Sequence, residues 1–319
     1  STLFPYTTLF RSPYSTGNSP LIPRSFAKRF HVSFTSSSVA ASGDHRDLRL
    51  EQLEQWLAGL FGARDFSIAT ASADASFRRY FRVTRGSQTW IAMDAPPQKE
   101  GMDHYIRIAT MLAEVGVNAP RILQSNPQEG FLLNGDLGNT TYLSRIDAGG
   151  DADRLYDDAM AALVQIQANG AHHAQQLPAY DDAMLRREMA LFPDWFCGRH
   201  LQLSLNDDET GALQRVFDVL TAEALAQPRV FVHRDYHSRN LMVGDGGRYG
   251  ANPGILDFQD AVYGPVTYDL VSLLRDCYVA WPIERVHEWM TRFREVARAA
   301  GVDTGPYMEI GRASCRERV

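Results

Sequence analysis

The 319-residue chain has only three cysteines, Cys197, Cys277 and Cys315, and none of their spacings is that of a metal-ligand pair. This scarcity excludes a disulfide framework or zinc scaffold and points to a reducing, cytoplasmic compartment. No apolar run approaches the roughly 18 residues that a membrane helix needs, so no membrane partner is expected. No long basic run is present and the net charge is -6, which argues against nucleic acid as a partner. No repeat of fixed period is visible. Residues 1–43 contain no Asp or Glu, while Ser, Thr, Pro and Arg are present. Such a segment reads as a disordered extension or a transit-type leader. Residues 2–12 and 310–319 also resemble translated sequencing adapters. Residues 1–43 and 309–319 are therefore expected to lie outside the natural domain. The fold is expected over 44–308, with a second lobe whose later helices are cut short.

The remaining sequence is ordinary globular material, 45% hydrophobic and 22% charged across the whole chain. That is enough for two lobes. Leu50, Leu53, Trp56, Leu57, Leu60 and Phe61 recur at helical spacing. A Ser/Ala/Asp-rich turn follows from Thr70. Phe77 to Val83 and Trp90 to Asp94 then alternate as a hairpin about Arg85-Gly86-Ser87. A helix through Tyr105, Ile108, Leu112 and Val115 and two more strands, near Pro120 and Gly130, complete a small β-rich part. Helices are expected over 154–167, 184–196, 209–226, 266–280 and 283–300. Phe192, Trp195 and Phe196 are expected in the core. The pattern predicts an α+β, bilobal architecture. Residues 44–134 form a nucleotide-binding lobe, and 135–308 a mostly helical catalytic and substrate lobe.

Between two apolar runs stands His233-Arg234-Asp235-Tyr236-His237-Ser238-Arg239-Asn240, which reads H-R-D-x-x-x-x-N. Gly254-Ile255-Leu256-Asp257-Phe258 follows. Phosphoryl transfer asks for a base at the acceptor hydroxyl, cations at the phosphates and in-line positioning. Asp235 fits the base. Asn240 and Asp257 offer hard oxygens to Mg²⁺. His233 is expected to brace the backbone, and Asp269 to cap the next helix or brace the turn.

These residues, with Tyr268-Asp269-Leu270, resemble the aminoglycoside phosphotransferase family of small-molecule kinases, which implies the protein-kinase-like fold. Ala73-Asp74-Ala75-Ser76-Phe77-Arg78-Arg79-Tyr80-Phe81-Arg82, Met93-Asp94-Ala95-Pro96-Pro97, Leu185-Arg186-Arg187-Glu188 and Asp257-Phe258-Gln259-Asp260 narrow the resemblance. They match its amino-sugar branch. That implies phosphorylation of the C1 hydroxyl of N-acetylmuramate and N-acetylglucosamine by ATP and Mg²⁺, in peptidoglycan recycling. Another acceptor of the same family (an aminoglycoside, choline or homoserine) and a nucleotide-binding pseudokinase are the alternatives.

Two departures stand out. The strand at Ile91-Ala92-Met93-Asp94 has no lysine, and the preceding turn has Ser72, Asp74 and Ser76 in place of a G-x-G-x-x-G loop. Ser76 with Arg78 or Arg79 is expected to take over phosphate contact, since an arginine fork suits phosphate oxygens. Asn134 and Asp136 are expected along the adenine. For the sugar the candidates are Tyr180, Asp181, Arg187, Glu188, His237 and Arg239.

Overall fold

The structure, a computed structural model, describes residues 47–72, 78–99 and 101–306. The terminal extensions and Ser76 lie outside the described residues. The described residues fall into two compact units, 47–65 and those from 66 onward. Of the first, the described part is helix α1, Leu48–Phe61. Asp47 caps it by accepting from the Leu50 N–H at 3.0 Å, and Gly62 ends it in the left-handed region at φ 69°.

The second unit opens with a five-stranded antiparallel sheet of order β1-β2-β3-β5-β4. Its strands are β1 Ser67–Ser72, β2 Arg79–Arg85, β3 Gln88–Asp94, β4 Ile122–Asn126 and β5 Phe131–Gly135. Strand β1 falls where the composition reads as a turn. Ser and Ala carry weak strand propensity, and pairing with β2, Ile68 opposite Val83, overrides it. Helix α2, Asp103–Val115, buries Tyr105, Ile108, Ala109, Met111, Leu112 and Val115. Its stop is Gly116, left-handed at φ 87°.

The second lobe is built on helices α3 Tyr142–Asp147, α4 Ala152–Asn169, α5 Ala171–Ala174, α6 Asp182–Met189 and α7 Asp207–Leu225. Strands β6 Arg229–Val232, β7 Leu241–Met242, β8 Gly254–Ile255 and β9 Val262–Pro265 follow, then helices α8 Tyr268–Leu274 and α9 Ile283–Ala299. The core joins α2 and α4 to β6 and α9: Tyr156 stacks on Trp289 with ring centroids 4.3 Å apart, and Phe231, Trp289 and Phe293 are fully buried.

Two helix expectations and one core expectation need correction. The span 184–196 is not one helix: α6 stops at Met189, and Phe192–His200 winds as a π-helix with Pro193 in its first turn. The span 266–280 contains only the short α8. Aromatics of the π-helix are not core. Phe192 is exposed and stacks on Phe196 at 5.5 Å, while Arg199 lies 3.8 Å over the half-buried Trp195 ring. Helical periodicity alone does not report which face a neighbour covers.

Candidate active site

After Arg229, strand β6 is apolar and buried and pairs with β9, so the turn His233-Arg234-Asp235 starts from a fixed point in the lobe core. The turn after it is held at both ends by carboxylates from later in the chain. Asp269 Oδ2 accepts from the His233 N–H at 2.7 Å and its Oδ1 from the Arg234 N–H at 2.9 Å. Asp276, also buried, accepts from the Ser238 N–H at 2.9 Å. Between them the buried Tyr236 donates its hydroxyl to the Ala159 carbonyl at 2.8 Å. His233 is wholly buried, and burial pushes its imidazole down to about 4, so it is neutral. Asp269 therefore braces the turn and does not cap α8. Asp276 was not visible as a partner in the sequence, because nothing local marks it.

Within this frame Asp235, Asn240 and Asp257 meet. The Asn240 side-chain N–H₂ donates to the Asp235 carbonyl at 3.0 Å and to Asp257 Oδ2 at 3.2 Å. The Leu256 N–H donates to the Asn240 carbonyl at 2.9 Å, which ties the approach to Asp257 to the turn. Gln259 Nε2 donates to the other Asp257 oxygen at 2.8 Å. Arg234 at φ 81° and Asp257 at φ 62° are both non-glycine residues in the left-handed region. Such backbone costs of order 1 kcal/mol each and persists where surrounding structure overdetermines it. Burial first, and then the Asp257 carboxylate, push the Asp235 carboxyl up to about 8, with Arg234 opposing. A carboxyl so placed is a stronger base than a solvated one.

Arg234 is held in turn by α6. Its Nη2 donates to Glu188 Oε1 at 2.5 Å, and the Tyr180 hydroxyl donates to Glu188 Oε2. A cavity of about 380 Å³ opens beside this pair, lined among others by Arg78, His104, Met184, Arg234, Gln259 and Asp260.

Residues 67–306 match the phosphotransferase enzyme family known as APH. The chain belongs to that family. It is 45% identical over 273 residues to the N-acetylmuramate/N-acetylglucosamine kinase of Pseudomonas aeruginosa, covering 82% of this chain and 78% of that one. Among solved structures, a choline/ethanolamine kinase family protein from Mesorhizobium loti superposes with TM-score 0.55 at 14% identity, covering 84% of this chain and 82% of that one. An ADP-bound aminoglycoside phosphotransferase, APH(2'')-Ib, superposes with TM-score 0.51 at 13% identity, over 78% of this chain and 85% of its own. These two establish the protein-kinase-like fold, α+β with a β-rich first lobe and a helical second.

As a phosphotransferase the chain departs from the lysine-bearing strand in a definite way. Met93 on β3 is fully buried. Opposite Asp94 in the β2–β3 register stands Arg79, whose Nε and Nη2 donate to Asp94 Oδ2 at 3.0 and 2.6 Å. Arg79 is thus engaged across the hairpin. Arg78 is buried, lies 5.9 Å over the Tyr105 ring and lines the cavity. The structure separates the two arginines that the sequence left equivalent.

Asp136 is taken up by a partner the sequence reading did not foresee. Arg82 grips it with two bonds, Nε to Oδ2 at 2.8 Å and Nη2 to Oδ1 at 2.9 Å, and also reaches the Gly138 carbonyl at 2.9 Å. The Gly138 N–H returns to Asp136 Oδ1 at 3.0 Å. Gly138 sits at φ 90°, and a Cβ there would stand 3.2 Å from the Tyr249 ring, so the tight connection requires glycine. Asn134 is buried on β5, with a side-chain oxygen that has no hydrogen-bond partner among the described residues.

The sugar candidates divide. Tyr180 is buried, its ring edge-on to Tyr268, and Glu188 is occupied by Arg234 and Tyr180, so neither presents a free face or carboxylate. Asp181 caps α6 through the Met184 N–H at 2.9 Å. Arg187 is exposed on α6. Arg239 lies 4.9 Å over the Tyr278 ring and donates to its hydroxyl at 3.2 Å. His237 stays at the centre: its Nε2 is 3.4 Å from Asn240 Nδ2, and burial holds its imidazole below the usual histidine range.

Proposed function

We propose that this chain is an ATP- and Mg²⁺-dependent amino-sugar kinase that phosphorylates the anomeric C1 hydroxyl of N-acetylmuramate and N-acetylglucosamine. It rests on the P. aeruginosa kinase whose name carries both sugars and on the juxtaposition of Asp235, Asn240 and Asp257. That juxtaposition is the observation that carries the reading. With both Asn240 N–H bonds directed into the protein, its Oδ1 accepts nothing among the described residues. Together with the exposed Asp257 carboxylate it makes the sparse oxygen set that Mg²⁺ accepts alongside phosphates. Bound there, the ion supplies neutralisation of phosphate charge.

Asp235 takes the proton of the C1 hydroxyl as that oxygen bonds the γ-phosphorus, and the bond to the ADP oxygen breaks. Its partners keep it in place: Asp269 fixes the preceding peptides, and Glu188 fixes Arg234. Arg78, buried in the cavity wall, is the arginine offered to the phosphates. Asn134, with its unpartnered buried oxygen, lies along the adenine. We place the activity in the cytoplasm, where ATP is supplied, as a step in peptidoglycan recycling. No helix among the described residues is long and apolar enough to cross a membrane.

The test is a panel of acceptors followed by ADP release, with the product located by phosphorus NMR. Free N-acetylmuramate and N-acetylglucosamine should yield 1-phosphates, and their methyl glycosides none. Turnover of the methyl glycosides, or of choline or an aminoglycoside in their stead, rejects the assignment.

A further inference from the structure

We propose that Glu114, His172 and His173 bind one transition-metal ion of the Zn²⁺, Co²⁺ or Ni²⁺ class, clipping the end of α2 to α5. One oxygen of Glu114 and one ring nitrogen from each histidine lie within 4.8 Å of one another. The two imidazoles pack with centroids 3.7 Å apart. His173 is only 6% exposed, and neither of its ring nitrogens makes a hydrogen bond among the described residues. Yet its Nε2 stands 2.9 Å from Glu114 Oε2. At that separation a proton or a metal cation must lie between the nitrogen and the carboxylate oxygen, and the contact does not meet hydrogen-bond geometry, which favours the metal. Metal bonds of about 2.1 Å set their donor atoms about 3 Å apart at an octahedral angle and about 3.4 Å apart at a tetrahedral one, so the 2.9 Å separation matches the octahedral case.

The donor set decides the class of ion. Two imidazoles and one carboxylate favour a borderline metal over Mg²⁺, which prefers oxygen alone. Glu114 and His172 are exposed, so water can fill the remaining positions. The protein already fixes the two backbones. Gln165 Nε2 and Asn169 Nδ2 donate to the Val115 carbonyl at 3.1 and 3.3 Å, docking the last turn of α2 on α4. An ion here joins the first lobe's helix to the second lobe with residues none of which belongs to the Asp235 cluster.

The experiment is titration of the full chain with Co²⁺ under excess Mg²⁺, read by visible absorption and by thermal denaturation. One Co²⁺ per chain should bind, with a rise in Tm of several degrees at saturation. His172→Ala and Glu114→Gln should each weaken binding by about 10–100-fold while turnover with Mg-ATP is retained, showing the variants folded. Equal Co²⁺ binding by both variants, or no Tm shift at submillimolar Co²⁺, overturns the site and leaves Glu114 and His173 as an ion pair.

Discussion

The side-chain amide of Asn240 lies 3.2 Å from Asp257 Oδ2 while it also holds the Asp235 carbonyl at 3.0 Å. One residue thereby ties the Asp235 turn to the Asp257 carboxylate. Replacing Asn240 by Ala removes both bonds and, with them, the Mg²⁺ ligand proposed above. Turnover should fall by about two orders of magnitude or more, with a raised Mg²⁺ requirement. Initial rates of ADP release across a Mg²⁺ series check this; an unchanged Mg²⁺ dependence excludes the ligand role.

Asp235→Asn should act in opposite directions on turnover and stability. Loss of the base lowers turnover by about 100-fold or more. The metal-free protein should become more stable. The Asp235 carboxyl is raised to about 8 by burial and Asp257, against an ordinary value near 3.9. A raised folded value means that the stability carried by the protonated form is complete below about pH 4 and is lost as pH rises through about 8. Asparagine does not ionise, so it escapes that loss. At pH 8 the variant's Tm should exceed the parent's by several degrees in chelator. Equal Tm profiles from pH 5 to 9 contradict the buried-acid account.

The two neighbouring arginines should separate in assay. Arg79→Ala withdraws a double contact from the wholly buried Asp94 and should lower stability by about 2 kcal/mol. Arg78→Ala should leave Tm nearer the parent's and raise a substrate KM by about tenfold, the cost of one charge-assisted contact. Denaturation curves and KM values for ATP and for each sugar decide; identical behaviour of the two variants removes the distinction.

Arg82→Ala should destabilise the connection between the lobes' sequences, because Asp136 keeps its buried charge and loses a bidentate partner. Burial opposes ionisation of Asp136, yet the Arg82 contact and the Gly138 N–H hold its carboxyl below the usual range. Its stabilising share is therefore present at neutral pH and fades as pH falls below the ordinary carboxylate value. A loss of about 2–3 kcal/mol at pH 7, shrinking toward pH 3, is expected in urea unfolding.

How far the site could be read from the chain depends on how far apart its parts lie. The strand-turn-strand of 230–243 was legible because spacing within one turn is set by local backbone geometry. The hairpin of β2 and β3 was legible through alternation and Gly86. Strand β1 and the π-helix were not, since partner strands and packing decide them against weak local propensity.

By itself the sequence determined which chemistry is available: a carboxylate in a turn between apolar runs, an amide at its far end, a second carboxylate after the next strand. Only the tertiary structure decided which polar groups are left for that chemistry. Asp136 was spent on Arg82, 54 residues away, and Glu188 on Arg234, 46 residues away, whereas Arg78 was left in the cavity wall. A charge's partner is chosen by proximity in space, and chain folding brings together residues whose separation in sequence carries no trace of the pairing.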